Sequence, residues 1–409
     1  MNFESGFDVK LGLKSFFADA NITNVSTGLI GGFTIGLVAV PLVIRAGEAA
    51  NLSSAVINSW LFSAYFFGAI TGIILALGYK IPVCGAWSIP GIFAVTQVMS
   101  GFTMNEAVGA FLVSGLIILL LGLSGFMKKL VSFIPDPIMM AMVAGVLFNW
   151  ALGILGAFEN APLLAIAGVI GYLVSMKVLD RIPPVLGTFV FGVIMAAALG
   201  GLNFSEVSLG VVRPVFFRPS FSVQSIISIS LPLAILVIGA ENMQAYGVLK
   251  AEEYQGPINA MTVISGIGGL IAPWSGGHNA NIAGPMTAFC TDEIAGPKEG
   301  RYVAAVFNGI VFALFGLFAP VSISIINLLP VALIDLLVGL VLMGIITSAL
   351  QKSFGEGKFI MGAFFSFVIA VSDVTLLSIG SAFWALVIGT VVSLLIEKES
   401  FDKMLGEAA

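Results

Sequence analysis

Trp274-Ser275-Gly276-Gly277-His278-Asn279-Ala280-Asn281-Ile282-Ala283-Gly284-Pro285-Met286 lies between two long apolar runs and contains the only histidine of the chain. Three glycines, two asparagines and a proline fall between Gly276 and Pro285. Glycine and proline disfavour a helix interior, and short amides prefer to bond nearby backbone. The flanking runs nevertheless read as membrane helices. Non-helical backbone at membrane depth is tolerated only where protein or a watery cavity satisfies its polar groups. The stretch therefore predicts a broken membrane segment that forms part of a binding site.

The rest of the chain is consistent with that setting. Of its 409 residues, 58% are hydrophobic and only 10% are charged, and the mean hydropathy is +1.09. A soluble domain carries about 25% charged residues. Apolar runs of roughly 20 residues recur along the length, which predicts an all-α integral membrane protein and not a β-barrel with its alternating pattern. The net charge of -5 is scattered, so no nucleic-acid partner is expected. Cys84 and Cys290 lie in apolar surroundings and imply no disulfide framework. One histidine and two cysteines far apart in sequence make no metal site. No nucleophile–base pairing, phosphate loop or dinucleotide fingerprint appears, so no cofactor and no enzymatic activity are expected. No cleavable signal peptide is expected either, because the first apolar run begins only after about twenty polar residues. Those first residues, 1–22, mix Phe3, Phe7, Leu11, Phe16 and Phe17 with Glu4, Asp8, Lys10, Lys14 and Asp19. They suit either a short helix lying on the membrane surface or a partly ordered tail.

Fourteen transmembrane segments are predicted, near 23–44, 54–78, 82–100, 106–126, 137–156, 161–176, 183–201, 226–248, 257–272, 274–291, 301–319, 328–350, 358–373 and 376–396. With both termini cytoplasmic, inner loops and tails would hold 14 of the 17 basic residues, leaving Arg45, Arg213 and Arg218 outside. That asymmetry is the one expected of a multi-pass protein. A long outer connection, 202–225, divides two seven-segment repeats, 23–201 and 226–397. An odd number of crossings per half requires the repeats to be inverted. Matching punctuation supports the repeat: Pro90 and Pro285 lie in the third segment of each half, and each is followed 45 residues later by another proline, Pro135 or Pro330.

Segment three mirrors the opening stretch as Pro82-Val83-Cys84-Gly85-Ala86-Trp87-Ser88-Ile89-Pro90-Gly91. Ser88 followed by Ile89-Pro90 reads as a helix start, with serine as cap and proline in the first turn. Seven extended residues at ~3.3 Å and ten helical ones at ~1.5 Å would cover about 38 Å, enough to cross the membrane. Two half-helix N-termini at mid-membrane would then offer unpaired N–H groups and partial positive charge to a small polar or anionic ligand.

The candidate contacts follow from these two segments: Ser88, Ile89 and Gly91 on one side, and Asn279, Asn281, Ala283 and Gly284 on the other. Trp87 and Phe93 could stack an aromatic ring. His278 could donate to a ligand or titrate. Glu241 is the outstanding charge, set in Leu236-Val237-Ile238-Gly239-Ala240-Glu241-Asn242-Met243-Gln244. A carboxylate at that depth is costly and is by default functional, here as a proton carrier. Asn242 and Gln244 add donors nearby.

At these residues the chain resembles the benzoate:proton symporter family, within the larger group that shares the uracil/nucleobase-transporter fold. The likeness rests on Ile81-Pro82 with Ala86-Trp87-Ser88-Ile89-Pro90-Gly91, on Glu241-Asn242 with Gly247-Val248-Leu249, and on Ala272-Pro273 with Gly276-Gly277-His278-Asn279-Ala280-Asn281. The resemblance implies a core domain, 23–126 with 226–319, and a gate domain, 137–201 with 328–396. It also implies elevator-like transport, a homodimer formed through the gate domains, and a bacterial inner membrane. Nucleobase relatives place a carboxylate at the position of Glu241 and a histidine one turn later, where this chain has Ala245. Three functions follow as expectations: proton-coupled uptake of an aromatic carboxylate such as benzoate (with sodium as another coupling ion), proton-coupled nucleobase symport, or an uncoupled anion channel.

Overall fold

The computed structural model describes residues 4–125, 135–178, 184–202, 210–372, 374, 376 and 381–401. Its elements in order are α1 (Val9–Asp19), α2 (Ile22–Ala49), α3 (Ser54–Tyr79), β1 (Gly85–Ala86), α4 (Ile89–Met99), α5 (Met104–Ser124), α6 (Asp136–Ala151), α7 (Gly153–Asn160), α8 (Pro162–Val178) and α9 (Pro184–Ala198). A long helical stretch follows as α10 (Val223–Lys250). Then come α11 (Ile258–Ile271), β2 (Asn281–Ile282), α12 (Gly284–Thr291), α13 (Arg301–Leu317), α14 (Ala319–Asn327), α15 (Val331–Phe354), α16 (Ile360–Val371) and α17 (Ser381–Ile396). Among the described residues, eight helices are long and apolar enough to cross a membrane.

Proline and glycine set most of the boundaries. Pro135 and Pro330 stand directly before α6 and α15 with extended ψ angles of 129° and 142°, where a ring that fixes φ and lacks an N–H costs nothing. Pro320 separates α14 from α13, a helix the apolar pattern alone did not reveal. The fifth predicted segment is likewise two helices, α6 and α7, joined at Leu152.

The helices pack in two groups. In one, α13 lies against α2 and α3, and α11 against α5; in the other, α6 packs with α15 and α16, α8 with α9, and α16 with α17. Both broken segments belong to the first group. There β1 and β2 pair antiparallel, with Gly85 opposite Ile282 and Ala86 opposite Asn281. The pair sits so close to α3 that a Cβ on Gly72 would lie 2.1 Å from the Gly85 nitrogen.

The N-terminal segment is a docked helix. Glu4 accepts from the backbone N–H groups of Asn259 and Ala260 at 2.9 and 3.1 Å, capping the start of α11. Asp19 pairs with Lys80 at 2.9 Å and accepts from the Tyr302 hydroxyl at 2.8 Å. These donors hold the Asp19 carboxyl below the ordinary carboxylate range. Leu13 and Phe17 on α1 are exposed, 53% and 85%, as suits a helix lying in the membrane interface. At the opposite end of α2, Arg45 binds Asp335 of α15 through two of its nitrogens and Glu48 at 2.9 Å. The 210–222 stretch before α10 is pinned along helix ends, with Phe217 N–H donating to Trp274 O at 3.1 Å and Ser220 N–H to Asn105 O at 2.9 Å.

Candidate functional site

Where β1 and β2 cross, each strand turns into a short helix. Ser88 caps α4: its hydroxyl accepts from Gly91 N–H at 3.0 Å, and Pro90 occupies the first turn. The first free N–H of α4, on Ile89, is taken by Glu241 Oε1 at 3.2 Å. The α12 start differs. Ala283 occupies its cap position in extended conformation, and no side chain caps that end. The two half-helix termini are therefore inequivalent, the first neutralised by the protein's own acid and the second open.

Glu241 reaches α4 because of a local change in helix geometry. Residues Leu236–Asn242 are π-helical, a widened turn that is uncommon and concentrated at functional sites. Gly239 within it packs on Met139 of α6, where a Cβ would fall 2.2 Å from the sulfur. The wide turn and the close approach together direct Glu241 to α4, leaving it only 5% exposed.

A cavity of about 380 Å³ opens beside this junction, within the size range of small-molecule sites. Trp87, Ile89, Glu241, Gln244, Ala283 and Gly284 line it, as do Phe312, Met140, Ile345 and Lys352. Its aromatic wall is braced from behind: Tyr65 stacks on Phe312 with centroids 4.1 Å apart and planes 10° apart, and lies 6.1 Å from Trp87. The Tyr65 hydroxyl is spent on the Gly36 carbonyl at 3.0 Å.

The other candidate residues stand behind this surface. His278 is fully buried, with Trp60 Nε1–H donating to its Nδ1 at 3.0 Å and its Nε2 meeting the Ser88 carbonyl at 3.0 Å. An indole N–H only donates and a carbonyl only accepts, so the ring carries its proton on Nε2. Asn279 Oδ1 accepts from Ser88 N–H at 3.1 Å, and its amide donates to Asn281 Oδ1 at 3.0 Å. Asn281 in turn donates to the Ile282 carbonyl at 2.8 Å. This network fixes Ser88 from both sides and ties one broken segment to the other. Asn242 faces α11, accepting from Ser265 at 3.0 Å. Phe93 packs on Trp150 with centroids 4.5 Å apart, and a Cβ on Gly91 would lie 2.7 Å from Leu233.

Cys84 and Cys290, far apart in sequence, meet here as buried free thiols. Among the described residues no group of three or more His, Cys, Asp or Glu side chains could hold a metal. The sequence did not single out Lys352, Phe312 or Met140. Phe312 and Met140 are apolar residues in apolar helices, and Lys352 reads as one more basic residue at a helix end.

Apolar helices that span a membrane, two of them broken around a cavity holding a buried acid, define a multi-pass membrane transport protein and not an enzyme. Residues 18–395 match the family described as benzoate membrane transport protein, and the chain belongs to that family. It is 30% identical over 365 residues to the benzoate membrane transport protein of Acinetobacter baylyi, covering 88% of this chain and 92% of that one. It is 29% identical over 368 residues to the inner membrane protein YdcO of Escherichia coli, covering 89% and 94%. Among solved structures, the transmembrane domain of a cyanobacterial bicarbonate transporter, BicA, superposes with a TM-score of 0.61 at 15% identity, covering 91% of this chain and 98% of that one. That likeness is one of fold.

Proposed function

We propose that the protein imports a small aromatic carboxylate such as benzoate together with a proton, by alternating access. The observation that carries this reading is the inequivalence of the two half-helix ends inside one cavity. The open α12 terminus offers backbone N–H groups to a carboxylate, with Trp87 and Phe312 as a flat apolar wall for the ring. Glu241 lines the same cavity. Ionised, it would repel the incoming anion; protonated, it would not. A proton on Glu241 is thus a condition for substrate binding, which couples the two movements. His278, Asn279 and Asn281 act as positioning residues that hold Ser88 and the strand pair, a role supported by the bonds of the His278 ring to Trp60 and the Ser88 carbonyl.

Several features support the wider mechanism. The two packing groups support a division into a core and a gate domain, and the antiparallel β1–β2 pair supports two inverted seven-segment repeats as in the uracil-transporter fold group. On α15 the cavity runs down one face to exposed Lys352, while near the other end Asp335 is held by Arg45 of α2. An open end and a tied end are what one state of an elevator requires. The distribution of basic residues supports placing the open end, and both termini, on the cytoplasmic side. The family supports a bacterial inner membrane, and dimerisation through the gate helices completes the reading.

A second reading is a neutral nucleobase symporter, favoured by Glu241 and Gln244 facing one cavity, where a carboxyl and an amide could read a cyclic amide edge. Competition of labelled benzoate uptake by unlabelled benzoate, uracil and xanthine separates the two. Concentrative uptake that a protonophore abolishes excludes an uncoupled channel, and replacement of sodium by potassium tests the coupling ion.

A further inference from the structure

Along α15 the residues that line the cavity are Val341, Gly344, Ile345, Ser348, Ala349 and Lys352. Their spacing is that of a single helix face, and eleven residues at ~1.5 Å carry it about 16 Å from the inner wall to the mouth. Every position on this strip is apolar or small until the last. Lys352 is exposed and lies in the final turn of α15. Among the described lining residues it is the sole cation, and Glu241 is the sole acid. Among the described residues Lys352 makes no ion pair; Asp136 at the start of α6 lies within electrostatic reach of Lys352 and of Glu356.

We propose that Lys352 is a specificity-determining residue that receives the substrate's carboxylate at the mouth of the cavity, favouring anions over neutral molecules on that side. This rests on the aromatic carboxylate reading of the site. Distance fixes the kind of effect. A charge about 16 Å from the inner end is beyond the ~8 Å screening length at physiological salt, so Lys352 acts on the entry step and not on the seated ligand, and it sets the Michaelis constant where seated substrate is carried across faster than it escapes. Met at ~4 Å in a water-like dielectric, one opposite charge is worth about a fivefold change in occupancy. Above Lys352 the α15 strip carries one hydroxyl, that of Ser348, and no second cation for a carboxylate.

The test uses the full chain in proteoliposomes, with the Michaelis constant for labelled benzoate measured separately from each face of the membrane, at low and high salt. Lys352→Gln is expected to raise the constant about fivefold on the mouth side at low salt, and Lys352→Glu to raise it further. Lys352→Arg is expected to match the wild type. The opposite face and the thermal stability are expected to stay unchanged, and the salt dependence on the mouth side to disappear in Lys352→Gln. Equal constants in wild type, Lys352→Gln and Lys352→Glu, or equal changes on both faces, would overturn the role. A wild type that carries uracil but not benzoate would overturn the substrate reading and this role with it, which is a different result from a benzoate transporter indifferent to residue 352.

Discussion

Replacing Glu241 by glutamine separates its charge from its shape. The amide oxygen of Glu241→Gln can still accept from Ile89 N–H, the bond that Glu241 Oε1 makes at 3.2 Å, so the α4 terminus stays capped and the fold is expected to persist. What disappears is the negative charge and the ability to take up a proton. Two unit charges ~6 Å apart in a protein-like effective dielectric of about 20 repel by roughly 3 kcal/mol. That is a factor of about 100 in affinity, which wild-type protein would lose on going from protonated to ionised Glu241. Glu241→Gln is therefore expected to bind benzoate at alkaline pH as well as the wild type does at acidic pH. Counterflow exchange of labelled for unlabelled benzoate is expected to survive, because exchange needs no net proton movement. Net uptake driven by an imposed proton gradient is expected to vanish. The assays are binding by scintillation proximity across pH and paired counterflow and gradient-driven uptake in proteoliposomes. Gradient-driven uptake equal to wild type in Glu241→Gln would refute the coupling role outright.

Other consequences follow from single contacts. A Cβ at residue 284 would fall 2.6 to 2.7 Å from the Gln244 side chain, so Gly284→Ala should force Gln244 into the cavity and weaken benzoate binding at least tenfold, with thermal stability in detergent nearly unchanged. His278→Gln removes one or both of the buried hydrogen bonds to Trp60 and the Ser88 carbonyl; about 1 kcal/mol or more of stability per bond should be lost, while the pH profile of residual uptake keeps its wild-type shape. A shifted profile would return His278 to the proton path. Asp335→Asn loosens the bond to Arg45, whose side chains are 21% and 31% exposed. At such exposure a pair is worth about 1 kcal/mol, so the balance between end states should move roughly fivefold toward the outward-open one, as read by accessibility of an engineered thiol to an impermeant reagent. The reversed pair, Arg45→Asp with Asp335→Arg, should restore it.

The broken segments were legible because their signals are local. Ser88 with Pro90, and Gly284 with Pro285, announce helix starts in their own neighbourhood, and the structure begins helices at Ile89 and Gly284. Much of the helix order was legible from apolar length, but not the separate helices α7 and α14. What sequence could not supply depends on rotation and distance. Trp60, the partner of His278, is 218 positions away, and nothing near His278 indicates that its ring would be consumed by structure. The π-helical turn that directs Glu241 at α4 has no sequence signature comparable to a cap. Likewise, apolar helices do not reveal which face meets a cavity, so Phe312, Met140 and Ile345 stayed hidden among similar residues. The predicted contacts therefore divide into those that line the cavity and those, including Asn279 and Asn281, that brace it from behind.

The most direct test is accumulation of labelled benzoate in proteoliposomes under an inward proton gradient with no benzoate gradient. It should be run at alkaline pH, where the membrane-permeant neutral acid is scarce, with protein-free vesicles as baseline. Proton-coupled carboxylate import predicts accumulation above that baseline, collapsed by a protonophore and competed by benzoate but not by uracil. Uptake that never exceeds the protein-free vesicles, or that uracil competes away, would contradict it.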